Sequence, residues 1–158
     1  MFLKSFEVRW NDLDANRHLA NSAYITYMSH TRMAYFHEIG LGQDVLANHE
    51  VGPVTFYEQM YYLKEVLPGM PVRVSLEVMG SSEDGMFFEF HHHFFDGEGK
   101  QVAFCEMMGG WINLKTRKLT PLDTELQGKF SELPKGEGFR TLSRADTRRY
   151  PIPRKDLA

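Results

Sequence analysis

Cysteine is nearly absent from this chain. The single Cys105 excludes an intrachain disulfide and makes a reducing compartment the default. Long apolar runs are missing too: nothing approaches the roughly 20 residues needed to span a bilayer, so no membrane partner is expected. The opening residues, MFLKSFEVRW, alternate too early to form a secretory core, and the expected location is the cytoplasm. Charge of one sign is scarce as well. A formal net charge of -3 argues against bulk electrostatic binding of nucleic acid. There is no internal repeat or low-complexity tract, and 158 residues suit one domain with a single core.

What is present is concentrated near the start, in VRWNDLDANRHLANSAY from Val8 to Tyr24. Phe6, Val8 and Trp10 alternate with Ser5, Glu7 and Arg9, the period of a half-buried strand. A run rich in Asn and Asp follows, residue types that turn the chain by bonding their own backbone. Asn21 stands in an N-cap position, and a helical pattern runs from there to about Ile39, closed by Gly40. Its face of Tyr24, Tyr27, Met28, Thr31, Ala34 and Tyr35 is widened by Ala23, Ile25, Met33 and Phe36, which predicts a helix wrapped by a sheet. His30, Arg32, His37 and Glu38 are expected to be solvated.

Residues 41–48 predict a short second helix. Strands are then predicted over 54–66, 72–78, 86–95 and 102–114, with hairpin loops at 81–85 and 96–99. Gly109 and Gly110 mark a bulge or a close backbone approach within the last of these. One long helix with a mainly antiparallel sheet is an α+β plan. Residues 1–120 are expected to form the domain and 121–158 an extension. Within that extension residues 121–130 are helical, and the remainder is polar, arginine-rich and irregular or weakly helical.

Asp14, Asn16 and His18 sit at spacing two on a loop aimed at the start of a helix. A carboxylate there can activate water or attack a carbonyl itself, while Asn16 and His18 position and polarise it. The first N–H groups of the helix, at Asn21 and Ser22, can hold an oxyanion. Asp12 is read as a loop-shaping residue, and Tyr24 and Tyr27 as packing residues of the helix face. His91 and His93 share a strand face at a metal-ligand spacing, but exposed strand histidines are the expectation and no metal is assigned. Cys105 reads as a half-buried structural thiol. The tail arginines are expected to be solvated, with coenzyme A phosphates or a neighbouring subunit as the sharper alternative.

D-x-D-x-N-x-H followed by a helix with a Tyr six residues on resembles the signature of hotdog-fold thioesterases. It is similar to the acyl-ACP thioesterase form and, more distantly, to the 4-hydroxybenzoyl-CoA thioesterase type. The resemblance implies a single hotdog fold, a curved antiparallel five-stranded sheet wrapped around a long central helix. It implies a cofactor-free acyl thioester hydrolase acting as a homodimer or dimer of dimers. Acyl-CoA is expected rather than acyl-ACP as substrate, because acyl-ACP enzymes of this type carry two hotdogs in one chain. The catalytic Asp, Asn and His of the pattern fall on Asp14, Asn16 and His18, and its Tyr on Tyr24. One departure is clear. The family commonly shows H-V-N-N where this chain has His18-Leu19-Ala20-Asn21. Ala20 favours a second reading, a hotdog protein that binds an acyl thioester without hydrolysing it. The different His-and-acid motif of hotdog dehydratases is not found.

Overall fold

A computed structural model describes residues 1–157. Strand β1 (Phe2–Glu7) leads through a 3-10 turn at Trp10–Asp12 to helix α1 (Asn21–Glu38) and the short α2 (Gln43–Asn48). Strands β2 (Val51–Tyr62), β3 (Pro71–Ser81), β4 (Phe87–Phe95) and β5 (Gln101–Asn113) follow, then α3 (Thr124–Ser131) and β6 (Lys135–Thr141). The sheet order is β1-β3-β4-β5-β2, antiparallel throughout, with β6 joining β3 in parallel. Among the described residues no helix is long and apolar enough to cross a membrane.

The sheet curves because its two edges and its centre all reach the same helix. From β1, Phe6 stacks on Tyr27 with ring centroids 4.4 Å apart. From the opposite edge, Tyr62 of β2 meets Tyr24 edge-on at 5.1 Å. Between them Phe94 and Phe90 of β4 and Trp111 of β5 pack on Tyr24 and Phe36. A flat sheet could not bring both edges to an 18-residue helix. Right-handed twist and bulges supply the bend, one at Thr55/Tyr57 in β2 and one at Val78/Gly80 in β3. Gly109 stands opposite the β2 bulge, where an added Cβ would lie 2.5 Å from the Phe88 ring and 2.6 Å from the Val54 carbonyl oxygen. That position admits only glycine.

Three expectations change. The helix starts one residue earlier than an Asn21 cap requires: Ala20 is the N-cap, extended at ψ 146°, and Asn21 is the first helical residue. The second strand ends at Tyr62, not Val66, so residues 63–66 are free to form a loop. Beyond α3, residues 135–141 make a strand where an irregular tail was expected. Glycines and charges hide that strand, whose partner is fixed by the exposed end of β3.

Candidate active site

The loop between β1 and α1 is held by its own backbone. Leu13 and Leu19 bridge across it, Asp14 N–H donates to His18 O at 3.0 Å, and Arg17 N–H donates to Asp14 O at 3.0 Å. Arg17 takes a left-handed conformation at φ 61° to close this turn. Two further bonds moor the loop: Leu19 N–H to Val66 O and Ala20 N–H to Asp12 O, both 2.8 Å. Asp12 is engaged through one oxygen, its Oδ2 accepting from Arg9 N–H at 2.9 Å and from the Tyr27 hydroxyl at 2.8 Å. It shapes the loop, as its position suggested. Burial and then this bond to Asp12 push the Tyr27 phenol well above its usual range.

Asp14 is placed differently. One oxygen, Oδ1, accepts the Asn16 N–H at 2.8 Å; the other, Oδ2, lies 3.4 Å from His18 Nδ1. Both side chains keep about a third of their surface open (33% and 28%), so the pair is reachable from solvent. Asp14, His18, Asn21 and Tyr24 line one cavity of about 390 Å³, together with Tyr62, Leu63, Lys64 and Glu65. Asn16 is exposed and contributes its backbone rather than a lining side chain, and Ser22 is likewise exposed outside the lining. The four residues of the 62–65 stretch were missed because the sequence pattern ran the strand on to Val66. The only available signal was the charged Lys64-Glu65 pair ahead of the Leu67-Pro68-Gly69 turn.

No side chain caps α1. A Ser, Thr, Asn or Asp at position 20 would occupy an N–H group of the first turn. The N–H groups of Asn21 and Ser22 have no intrahelical acceptor at the positive end of the helix dipole, Ala20 offers no capping side chain, and Asn21 lines the cavity. Tyr24 forms the inner wall, 3% exposed. Burial, then the neighbouring Tyr62 and Asp14, push its phenol up to about 12, so it stays neutral and able to donate.

The sheet holds a second polar group under α1. His92, on the strand face opposite His91 and His93, is completely buried: its Nδ1 lies 2.7 Å from Ser75 O and its Nε2 3.2 Å from Arg32 Nη1. Burial, with Arg32 beside it, lowers its pKa to about 3, so the ring is neutral. Arg32, expected in solvent, turns inward to His92, Ser29 and Glu58. Burial lowers its pKa as well. Cys105 is also fully buried. On the outer face of the sheet Glu89, His91 and Glu106 bring three ligand-type atoms within 4.8 Å of one another. Arg140 and Arg149 already pair with those two carboxylates, which makes the cluster an anchor for the C-terminal segment.

A family model described as the thioesterase-like superfamily matches residues 8–130. Comparison with curated proteins gave no match. Among solved structures, the chain is similar to a Staphylococcus aureus hypothetical protein in complex with CoA. That pair shows 20% identity and a TM-score of 0.78, covering 96% of this chain and 95% of the other. It is similar to a DHNA-CoA thioesterase from Staphylococcus aureus at 16% identity and TM-score 0.75, over 82% of this chain and 88% of the other. A 1,4-dihydroxy-2-naphthoyl-CoA thioesterase from Synechocystis matches at 15% identity and TM-score 0.73, over 84% and 96%. At these identities the likeness concerns the fold: the α+β hotdog arrangement is shared.

Proposed function

The chain belongs to the thioesterase-like superfamily, and on that premise we propose that it hydrolyses acyl-CoA thioesters to free acid and coenzyme A. The observation that carries the reading is the cavity where Asp14, His18, Asn21 and Tyr24 meet at an uncapped helix start. In this mechanism the thioester carbonyl oxygen lies against the N–H groups of Asn21 and Ser22. Asp14 acts as general base on a water, or attacks the carbonyl carbon itself to form an anhydride that water then opens. The tetrahedral oxyanion is held by the helix N–H groups and collapses by breaking the C–S bond. The thiolate leaves and takes up the proton. His18 at 3.4 Å keeps Asp14 oriented and polarises the carbonyl. Asn16 holds Asp14 Oδ1 through its backbone, and its exposed side chain is free to meet the attacking water. No cofactor enters this scheme. A homodimer or dimer of dimers is the proposed assembly, built through the open sheet edges.

Thiol release from short, medium, long and aromatic acyl-CoAs, for wild type beside Asp14→Ala, tests it. A fall of a hundredfold or more, about 2.7 kcal/mol of transition-state stabilisation, is expected at unchanged assembly mass. Equal rates would remove Asp14 from the mechanism. A single turnover in ¹⁸O-water separates the two routes, since only the anhydride route can leave label in Asp14. The second reading, a protein that binds acyl thioesters without cleaving them, rests on Ala20. Binding without turnover in wild type would favour it. Acyl-ACP as substrate is compared in the same assay.

A further inference from the structure

Two tyrosines stand one turn apart on α1 and differ in what their hydroxyls do. The Tyr27 hydroxyl is committed, donating to Asp12 Oδ2 at 2.8 Å. The Tyr24 hydroxyl has no hydrogen-bond partner among the described residues, although the residue is only 3% exposed. Unlike His91 Nε2 and Trp111 Nε1, which are unpartnered and sealed in, it keeps its remaining surface on the cavity that Tyr24 lines with Asp14, His18 and Asn21. The ring is backed by Tyr62, edge-on, and by Phe94 at a tilt, both with centroids 5.1 Å away. A buried phenol left unpaired carries the desolvation cost of an unmade hydrogen bond, unless something in the cavity accepts from it.

Direction decides what that acceptor is. Side chains of a helix lean toward its N-terminus, and residues three apart share a face. Tyr24 lies three positions, about 4.5 Å of rise, inside Asn21, the first residue of α1. This lean lays the ring along the first turn and carries the hydroxyl toward the end where the N–H groups of Asn21 and Ser22 project. Asp14 borders the same cavity, close enough that its charge, after burial and Tyr62, helps to raise the Tyr24 pKa. Resting on the thioester-hydrolysis reading above, we propose that the Tyr24 hydroxyl donates to the thioester carbonyl oxygen, as a third donor beside the two helix N–H groups. As Asp14 takes a proton from the attacking water, negative charge passes from its carboxylate to the carbonyl oxygen, where three fixed donors meet it. On the anhydride route the charge makes the same passage as the carboxylate attacks. The phenol keeps its own proton throughout, because a pKa of about 12 leaves it a hydrogen-bond donor.

Tyr24→Phe keeps the ring and removes only the hydroxyl, which has no bond inside the protein to lose. Its melting temperature and assembly mass are therefore expected to match wild type. With the acyl-CoA that wild type cleaves fastest, kcat should fall about tenfold to a hundredfold, with KM changed less than about twofold. The second readout is the carbonyl itself. A ketone analogue of that acyl-CoA, with a ¹³C-labelled carbonyl and a methylene in place of the sulfur, is bound to each protein. Isotope-edited infrared difference spectra should place its C=O stretch at higher wavenumber in the variant, where one donor is gone. An unchanged stretch would overturn the proposal whatever happens to kcat, and turnover by wild type would still leave the hydrolase reading standing. A variant that melts well below wild type would also overturn it, by revealing an internal partner for the hydroxyl. If wild type cleaves no thioester, the analogue of the tightest-binding acyl-CoA is used. A stretch that depends on Tyr24 would then stand while the hydrolase reading falls, and failure of every analogue to bind would sink both.

Discussion

Two carboxylates two residues apart receive opposite roles from their partners alone. Asp12 gives one oxygen to both Arg9 N–H and the Tyr27 hydroxyl, deep against the helix, while Asp14 gives one oxygen to the loop and turns the other to His18 and the cavity. The same rule of partners makes Cys105 inert. Burial, with the Glu58 carboxylate adding, pushes its thiol up to about 12, far from the thiolate a nucleophile needs. The native protein is therefore expected not to react with a thiol reagent, and the unfolded protein to react with one equivalent. Rapid labelling of the native chain would disprove this and would also contaminate any assay of released coenzyme A. The D-x-D-x-N-x-H spacing made Asp14 and His18 visible beforehand. Nothing in the sequence distinguished Arg32 from its solvated neighbours on α1, because its burial depends on His92 and Glu58, which lie 60 and 26 positions away.

The C-terminal segment that carries β6 owes its position to ionised carboxylates. Hydrogen bonding to Arg140 and to the Ser143 N–H lowers the pKa of Asp146 below that of a free aspartate. The neighbouring His91 and then Arg140 lower that of Glu89, outweighing the burial that opposes them. Groups depressed in this way contribute stability that is complete above the ordinary carboxylate range and lost as pH falls through it, because the unfolded chain binds the protons first. An Arg140→Met variant should thus melt below wild type at pH 7, and the gap should close as pH falls from about 5 to about 3. A gap independent of pH, read by thermal unfolding, would mean the segment is held by Leu142 and its apolar contacts instead. Helix α1 shows the complementary case. Its first turn lacks a capping side chain and leaves its N–H groups to a ligand, an economy visible only once Ala20 is seen at the cap.

At the scale of the molecule the sheet has two open sides, β2 on one and β1 with β6 on the other. Among the described residues neither side pairs with a further strand. Twelve residues of β2 have a free flank, a length that seldom stays unpaired in solution. Light scattering should therefore give at least twice the 18.3 kDa of one chain. A particle of one chain's mass at micromolar concentration would defeat the proposed assembly.

The sequence by itself determined the order of elements, the helix that the sheet surrounds and the loop that carries Asp14 and His18. All three follow from local periodicity and turn chemistry within a few residues. Tertiary structure decided what depends on distant partners. It ended the second strand at Tyr62 and so brought residues 62–65 to the cavity. It drew Arg32 and His92 inward together, and made a strand of residues 135–141 by offering them the end of β3. Side chains of that kind are placed by whichever surface is left unpaired once the rest has packed, and a local pattern holds no record of that surface.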